Sequence, residues 1–378
     1  MKRLLLVLHK DLEKAVGRNE KIKSRIDFLR SNGWFIDYYL MKPKKKYLWP
    51  FYSIYSIITT LFMIRQWVRE GDDVFILTMS LPPHTHFAGL FLKSFCMKSF
   101  WVAELRDALM EKPFFLRHSL MGKLLCLIEK PLVRFADKII IIDGSQVSMD
   151  YLIQTYPNQS GKFDALPYMG FDHALFKKIS PRNFDKFTIT YAGTLYEDWI
   201  NPRYFLIAFS RFVLEYGLSP DDLQVNFYVR GWRNVYDELI SELDIGEYIH
   251  VHDFVKGDEV IAILKGSDIL LYINGSAKTR EDMLHSKFYD YLGSRSPLLV
   301  LAGKNYHVSR IVEDYSLGLV SSEDNIAEIS NALKIMFDKK VSINRNNQVE
   351  ELFDRKKHDS YFSSVLENLV LTQDSPKF

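Results

Sequence analysis

The sequence predicts an α/β protein of two doubly wound, Rossmann-like parallel-sheet domains facing a shared cleft. Three observations carry that expectation. At 378 residues the chain exceeds what one hydrophobic core usually organises. Apolar strand-like runs alternate with helix-like stretches from the first residues onward. After a short link the same alternation starts again.

In the first half, strand-like runs fall at 3–8, 34–40, 73–79, 100–104, 138–142 and 164–167. Helix-like stretches separate them, among them 20–31, 84–96 and 119–136. Strands that alternate with helices form a parallel sheet covered on both faces. A link at about 173–184 precedes a second series near 187–192, 224–229, 269–273, 298–301 and 317–321. The segment 359–371 again has a helical period. The expected domains are therefore 1–172 and 173–358. Two such domains place the C-terminal ends of their strands across a cleft, where ligands of this architecture bind. No internal repeat or low-complexity tract appears.

Composition narrows the class. Hydrophobic residues at 47% and charged residues at 25% are ordinary for a globular protein. The net charge of +2 is unevenly spread: residues 1–170 hold 25 Lys+Arg against 16 Asp+Glu, and the remainder 24 against 31. A basic front half points toward an anionic partner such as phosphate or a membrane surface. Lys44-Lys45-Lys46 is the one basic run, too short to indicate nucleic acid. Cys96 and Cys126 both lie in apolar, helix-like segments, which argues for a reducing compartment without a disulfide framework. The chain opens directly on a strand, so no secretory leader is expected. Residues 47–64 are uncharged, yet Pro50, Ser53, Ser56, Thr59 and Thr60 interrupt them where the alternation needs a helix. They read as a surface helix rather than a membrane span.

The most informative run is Asp282-Met283-Leu284-His285-Ser286-Lys287-Phe288-Tyr289-Asp290-Tyr291-Leu292-Gly293, followed by Pro297 and an apolar strand. It predicts a short amphipathic helix that stops at Gly293, aims its N-terminus at the cleft and leads into a buried strand. An ordinary helix with a solvated acidic face is the plainer alternative. Earlier, Tyr191-Ala192-Gly193-Thr194 ends a strand, and a glycine there lets backbone approach a phosphate closely. Val229-Arg230-Gly231-Trp232 ends the next strand, and a guanidinium suits phosphate oxygens. A surface arginine at a strand end explains Arg230 equally well, and Lys278 and Arg280 are rival cations. His250 and His252 lack a convincingly spaced third ligand, so no metal site is expected.

The run 282–297 resembles the nucleotide-sugar segment of family 4 retaining glycosyltransferases, written Ser-Lys-hydrophobic-aromatic-Glu-Tyr-Leu-Ala-x-Gly-x-Pro. Asp282 and Asp290 keep the spacing of that family's two glutamates, both shortened to Asp. The resemblance spans roughly residues 70–340 and implies the GT-B architecture, in which a terminal helix crosses back onto the first domain, here 359–378. It implies that Asp290 accepts from the ribose hydroxyls, that Asp282 lies near the donor sugar or its β-phosphate, and that Lys287 faces the phosphates. Gly193 and Thr194 match the diphosphate loop, although Glu197-Asp198-Trp199 stand where members often carry a basic residue. Arg230 and Gly231 match the family's glycine-rich turn. Phe254 and Val255, after the histidine strand, match the wall of the nucleobase site. In the first domain Pro82-Pro83 make a stiff helix entry from which His84 could point into the cleft, and the resemblance places the pair Arg106 and Asp107 next to the transferred sugar. A local ion pair is the alternative for the latter two. Gly17 falls where the family has an acceptor loop.

The resemblance therefore implies transfer of a sugar, with retention, from a nucleoside diphosphate sugar to a hydroxyl acceptor, without a metal or other cofactor. The departing diphosphate would itself help deprotonate the acceptor. The basic, aromatic stretch 42–69 suggests a segment lying on an anionic bilayer. A lipid-linked or oligosaccharide acceptor in cell-surface polysaccharide assembly, at the cytoplasmic face of the membrane, fits it. Two other readings stay open: a nucleotide-sugar epimerase or hydrolase of the same fold, and an inactive partner subunit. The sugar, nucleobase and linkage are not legible.

Overall fold

A computed structural model describes residues 1–8, 18–41, 49–80, 85–105, 120–142, 146–166, 168–196, 200–274, 284–339 and 347–373. The chain divides into two compact units, Met1–Met169 with Arg355–Phe378, and Gly170–Asp354. These limits fall a few residues ahead of the 172/173 and 358/359 boundaries expected.

The first unit runs β1 (Lys2–Leu8), α1 (Arg18–Ser31), β2 (Phe35–Leu40), α2 (Trp49–Arg69), β3 (Asp73–Met79), α3 (Thr85–Phe95), β4 (Phe100–Leu105), α4 (Leu120–Phe135), β5 (Lys138–Ile141), α5 (Gln146–Thr155) and β6 (Phe163–Ala165). Its six-stranded sheet has the order β2-β1-β3-β4-β5-β6, parallel throughout. The direction of winding reverses between β1 and β3, which sends α1 to one face and α2, α3 and α4 to the other. On that second face Leu61, Ile64, Ala88, Leu92, Ile128 and Leu132 join one core with the strands. Each such Leu or Ile side chain contributes about 1.5–3 kcal/mol. β4 is buried at every position, as a central strand covered on both sides must be.

The second unit runs α6 (His173–Lys178), β7 (Phe187–Thr194), α7 (Arg203–Tyr216), β8 (Leu223–Arg230), α8 (Asn234–Glu242), β9 (Ile249–Asp253), α9 (Asp258–Gly266), β10 (Ile269–Ile273), α10 (Ser286–Ser294), β11 (Leu298–Leu301), α11 (His307–Asp314), β12 (Gly318–Ser321), α12 (Ile326–Phe337) and α13 (Asn347–Leu352). The sheet order is β12-β11-β10-β7-β8-β9, again all parallel. Its switch point lies between β7 and β10. The final helix, α14 (Arg355–Gln373), packs on α1 in the first unit.

Three expectations need correction. The link at 173–184 contains a helix, α6, because the Asp172 carboxylate accepts from Ala174 N and Leu175 N and so caps it. α10 does not stop at Gly293. It continues to Ser294 and ends on Arg295, whose φ of 67° is left-handed. Gly293 serves packing instead, since a Cβ there would lie 2.6 Å from the Phe176 ring. The strand expected at 164–167 is β6, which starts at Phe163 and ends at Ala165.

Candidate functional site

In an open parallel sheet, ligands bind beyond the C-terminal strand ends at the switch point. In the second unit this is where β7 and β10 finish. α10 is fixed there by its aromatic face. Phe288, Tyr289, Tyr291 and Leu292 are fully buried. The Tyr291 hydroxyl accepts from Ala192 N at 2.8 Å and donates to Ala192 O at 3.3 Å, clamping the helix to β7.

That clamp brings Lys287 across the switch point. Its ammonium donates to the Tyr191 hydroxyl on β7 at 3.0 Å and to the Ile273 carbonyl on β10 at 3.4 Å. It also lies 4.3 Å from the Tyr191 ring centroid and 4.9 Å from that of Tyr272. Tyr191 passes the bond on, donating to Thr194 O at 3.0 Å. Gly193 gives the lysine room: a Cβ there would sit 3.3 Å from Lys287 Cδ. No carboxylate among the described residues lies within ion-pair distance of this ammonium. Burial pushes the group down from its ordinary 10.5 to about 7. Burial likewise raises the Tyr191 and Tyr291 hydroxyls, which stay neutral donors.

Asp290, nearly one turn further along α10, is half-buried and has no hydrogen-bond partner among the described residues. Thr194 and Arg230 pair across β7 and β8, and Leu195 N donates to Arg230 O at 2.9 Å. Gly231 follows with a φ of 82°, where a Cβ would sit 2.6 Å from Leu195 O, so this turn requires glycine. Arg230 is exposed and its guanidinium lies 4.2 Å from the Phe254 ring centroid. Gly193, Thr194, Arg230, Gly231 and Phe254 thus gather at the ends of β7, β8 and β9, with half-buried Val255 next in chain. His252 is structural: its Nε2 pairs with Asn226 Oδ1 at 2.8 Å and its ring stacks on Tyr228. Among the described residues no cluster of His, Cys, Asp or Glu is suited to a metal. Asp282, Arg280 and Lys278 lie outside the described residues, as do His84, Arg106, Asp107 and Gly17 of the first unit.

Sequence reasoning missed two features. One is the tyrosine frame of Lys287, drawn from β7, β10 and α10. The other is a buried polar knot in the first unit, at the C-terminal end of β4. Arg25 of α1 donates through Nη1 to the Glu104 carboxylate and through Nη2 to His358 Nε2 at 2.9 Å. Its Nε lies 3.7 Å from Asp359 Oδ1, and its guanidinium 4.3 Å from the Phe362 centroid. Because Arg only donates, His358 Nε2 must accept, which places that ring's proton on Nδ1. Burial pushes Asp359 up to about 6 despite the Arg25 charge. A cavity of about 20 Å³ adjoins the knot, room for one water. The only sequence signal was Glu104 in an otherwise apolar strand.

No protein-family model and no curated protein sequence matches the chain. Solved structures do. The E. coli trehalose-6-phosphate protein bound with UDP-2-fluoro glucose is 12% identical, with 97% of this chain and 99% of that one covered at a TM-score of 0.61. The lipopolysaccharide outer core galactosyltransferase WaaB is 11% identical, with 98% and 99% covered at 0.60. The UDP-GlcNAc 2-epimerase from Methanocaldococcus jannaschii is 12% identical, with 97% and 99% covered at 0.55. At these identities the likeness is one of fold. The chain has the two-domain, Rossmann-like GT-B fold, which glycosyltransferases and nucleotide-sugar epimerases share.

Proposed function

We propose that this chain is a retaining glycosyltransferase that moves a sugar from a nucleoside diphosphate sugar to a hydroxyl acceptor. One observation carries the reading. Lys287 is held beneath tyrosine rings at the switch point of the second unit, with no carboxylate to neutralise it among the described residues. A half-buried cation so placed gains most from a polyanion, and the departing diphosphate is one. In this reading the backbone at Gly193 and Thr194 and the Arg230-Gly231 turn meet the phosphates, Asp290 accepts from the ribose, and Phe254 and Val255 wall the base. His84, Arg106 and Asp107 would border the transferred sugar, with Asp282 and Arg280 near its diphosphate. The leaving diphosphate takes the acceptor proton on the face it departs from, so the protein supplies positioning and charge rather than a dedicated base. No metal or other cofactor enters this scheme.

The acceptor is proposed to be lipid-linked or an oligosaccharide, in the assembly of a cell-surface polysaccharide such as lipopolysaccharide, capsule or exopolysaccharide, at the cytoplasmic membrane face. The basic, aromatic composition of 42–69 supports a peripheral placement. Among the described residues no helix is long and apolar enough to cross a membrane. Calorimetric titration with UDP, ADP and GDP, paired with turnover of the matching nucleotide sugars, tests the donor half. Lys287→Ala and Asp290→Ala should each weaken binding or turnover about ten- to a hundredfold without unfolding the protein. Wild-type affinity and turnover in both would remove the assigned site. The epimerases among the structural neighbours favour one second reading, in which the donor alone is processed. Donor conversion in acceptor-free buffer separates the two.

A further inference from the structure

The layer formed by α2, α3 and α4 has an inner face buried in the core and an outer face of unusual composition. α2 and α3 pack together, as do α3 and α4. Arg65 of α2 donates to Phe95 O of α3 at 3.1 Å, tying the end of α3 to the C-terminal part of α2. On α2 the exposed positions Tyr55, Ile58 and Phe62 fall at i, i+3 and i+7, one stripe on the side away from buried Leu61 and Ile64. On α3 Phe87 and Phe95 stand two turns apart on its exposed side, and α4 adds Leu127. Exposure is high: Tyr55 70%, Phe62 64%, Phe95 52% and Leu127 70%.

The exposed charges of this face are mostly positive. Arg69, Lys98, Lys130 and Arg134 are exposed on or beside the same three helices. Among the described residues of 55–70, 85–98 and 127–135 the carboxylates are two: Glu129, which is fully buried and accepts from Tyr151 and Tyr156, and Glu70, which is exposed at the end of α2, accepts from Gln66 and lies 4.0 Å from Arg3. The other face of the same sheet differs. There α1 and α14 expose Asp27 and Arg30, Lys356 and Lys357, in mixed sign. Large aromatics and aliphatics interspersed with four exposed cations, against the single exposed carboxylate of Glu70, complement a surface that is apolar below and anionic above.

We propose that the outer face of α2, α3 and α4 docks on an anionic lipid bilayer, inserting Phe62, Phe87 and Phe95 while the four cations meet the headgroups. The proposal rests on the glycosyltransferase reading for the purpose of docking, which would bring the first unit to a lipid-linked acceptor. The surface itself does not depend on that reading. It extends the peripheral placement drawn from 42–69, of which α2 is part, by adding α3 and α4 and by inserting aromatics, which resist salt whereas screened charge does not.

Flotation with vesicles of phosphatidylcholine, alone and mixed equally with phosphatidylglycerol, tests it on the full chain. The wild type should float with the mixed vesicles and bind neutral ones weakly, and a fraction should stay bound at high salt. Phe62→Ser, Phe87→Ser and Phe95→Ser together should weaken binding about tenfold or more and remove the salt-resistant fraction. Gln at Arg69, Lys130 and Arg134 should remove the preference for anionic lipid. All six side chains are solvent-exposed, so unchanged melting temperature and unchanged UDP binding serve as the folding control. If the serine variant floats like the wild type, or the wild type floats with neither vesicle, the proposal is overturned. A wild type that self-associates without floating, while the serine variant is monomeric, overturns it in favour of a protein partner. Loss of UDP binding by the wild type would count against the donor site alone.

Discussion

The two units hold a cation in opposite ways, buried in the first and half-buried in the second. Arg25, in the first, is met by two carboxylates and an imidazole, so its charge is answered within the fold. Lys287, in the second, is met by a tyrosine hydroxyl, a carbonyl and two aromatic rings, with no anion among the described residues. A compensated buried charge works as a staple: it joins α1, β4 and α14, which are far apart in sequence. An uncompensated one is costly to the empty protein and repays that cost only when an anion arrives. The difference separates a structural cluster from the proposed binding group even though both lie at the C-terminal edge of a parallel sheet.

The largest effect should come from breaking the staple. Arg25→Met leaves Glu104 and Asp359 buried without their cation, and should cost about 3–5 kcal/mol of stability, read as a lowered melting temperature or denaturant midpoint. Lys287→Met should do the reverse. It removes a poorly solvated charge, so the empty protein should melt no lower than wild type, while affinity for a nucleoside diphosphate falls about ten- to a hundredfold. Equal destabilisation by both substitutions would erase the distinction.

Acidity sharpens the comparison. Lys287 titrates near 7 in the fold against 10.5 when free, so the folded chain binds fewer protons than the unfolded one between those values. Its destabilising contribution is full below pH 7 and is relieved as pH rises toward 10.5. A bound diphosphate favours the charged form, so binding at pH 8 should take up a proton. Calorimetry in two buffers of different ionisation enthalpy should show that uptake, and Lys287→Met should lose it.

The smallest effect belongs to Asp359, pushed up to about 6 from 3.8 chiefly by burial. Its folded form binds the proton more tightly, so stability from this group is fullest near pH 4 and declines as pH rises through 6. Asp359→Asn should therefore gain melting temperature relative to wild type at pH 8, and that gain should fall to about half at pH 5. A constant difference across that range would mean that the carboxylate is better compensated than its burial implies.

The periodic parts of the fold were legible because parallel strands covered on both faces are continuous apolar runs, as Phe100–Leu105 and Ile269–Ile273 are. The placement of Lys287 and Asp290 on one short helix was legible from one local motif. What gives Lys287 its character was not: Tyr191 and Tyr272 read as strand aromatics until β7 and β10 are seen to be neighbours. The Arg25 knot was hidden for the same reason, its members being brought together by α1 and α14 from opposite ends of the chain. The stop of α10 misled because Gly293 resembles a C-cap, whereas its missing side chain admits the Phe176 ring.

An ammonium has three protons to give, and Lys287 has planted two of them, on Tyr191 and on the Ile273 carbonyl. A single valence is left for a guest. In the proposed reading an incoming phosphate oxygen takes it while both existing legs of the tripod stay in place, so capture would require little rearrangement of the host. The same count sets what may replace the lysine. A guanidinium is a flat fork and cannot stand on two acceptors that a tetrahedral head reaches from under two rings, so Lys287→Arg should keep the charge and still lose the grip.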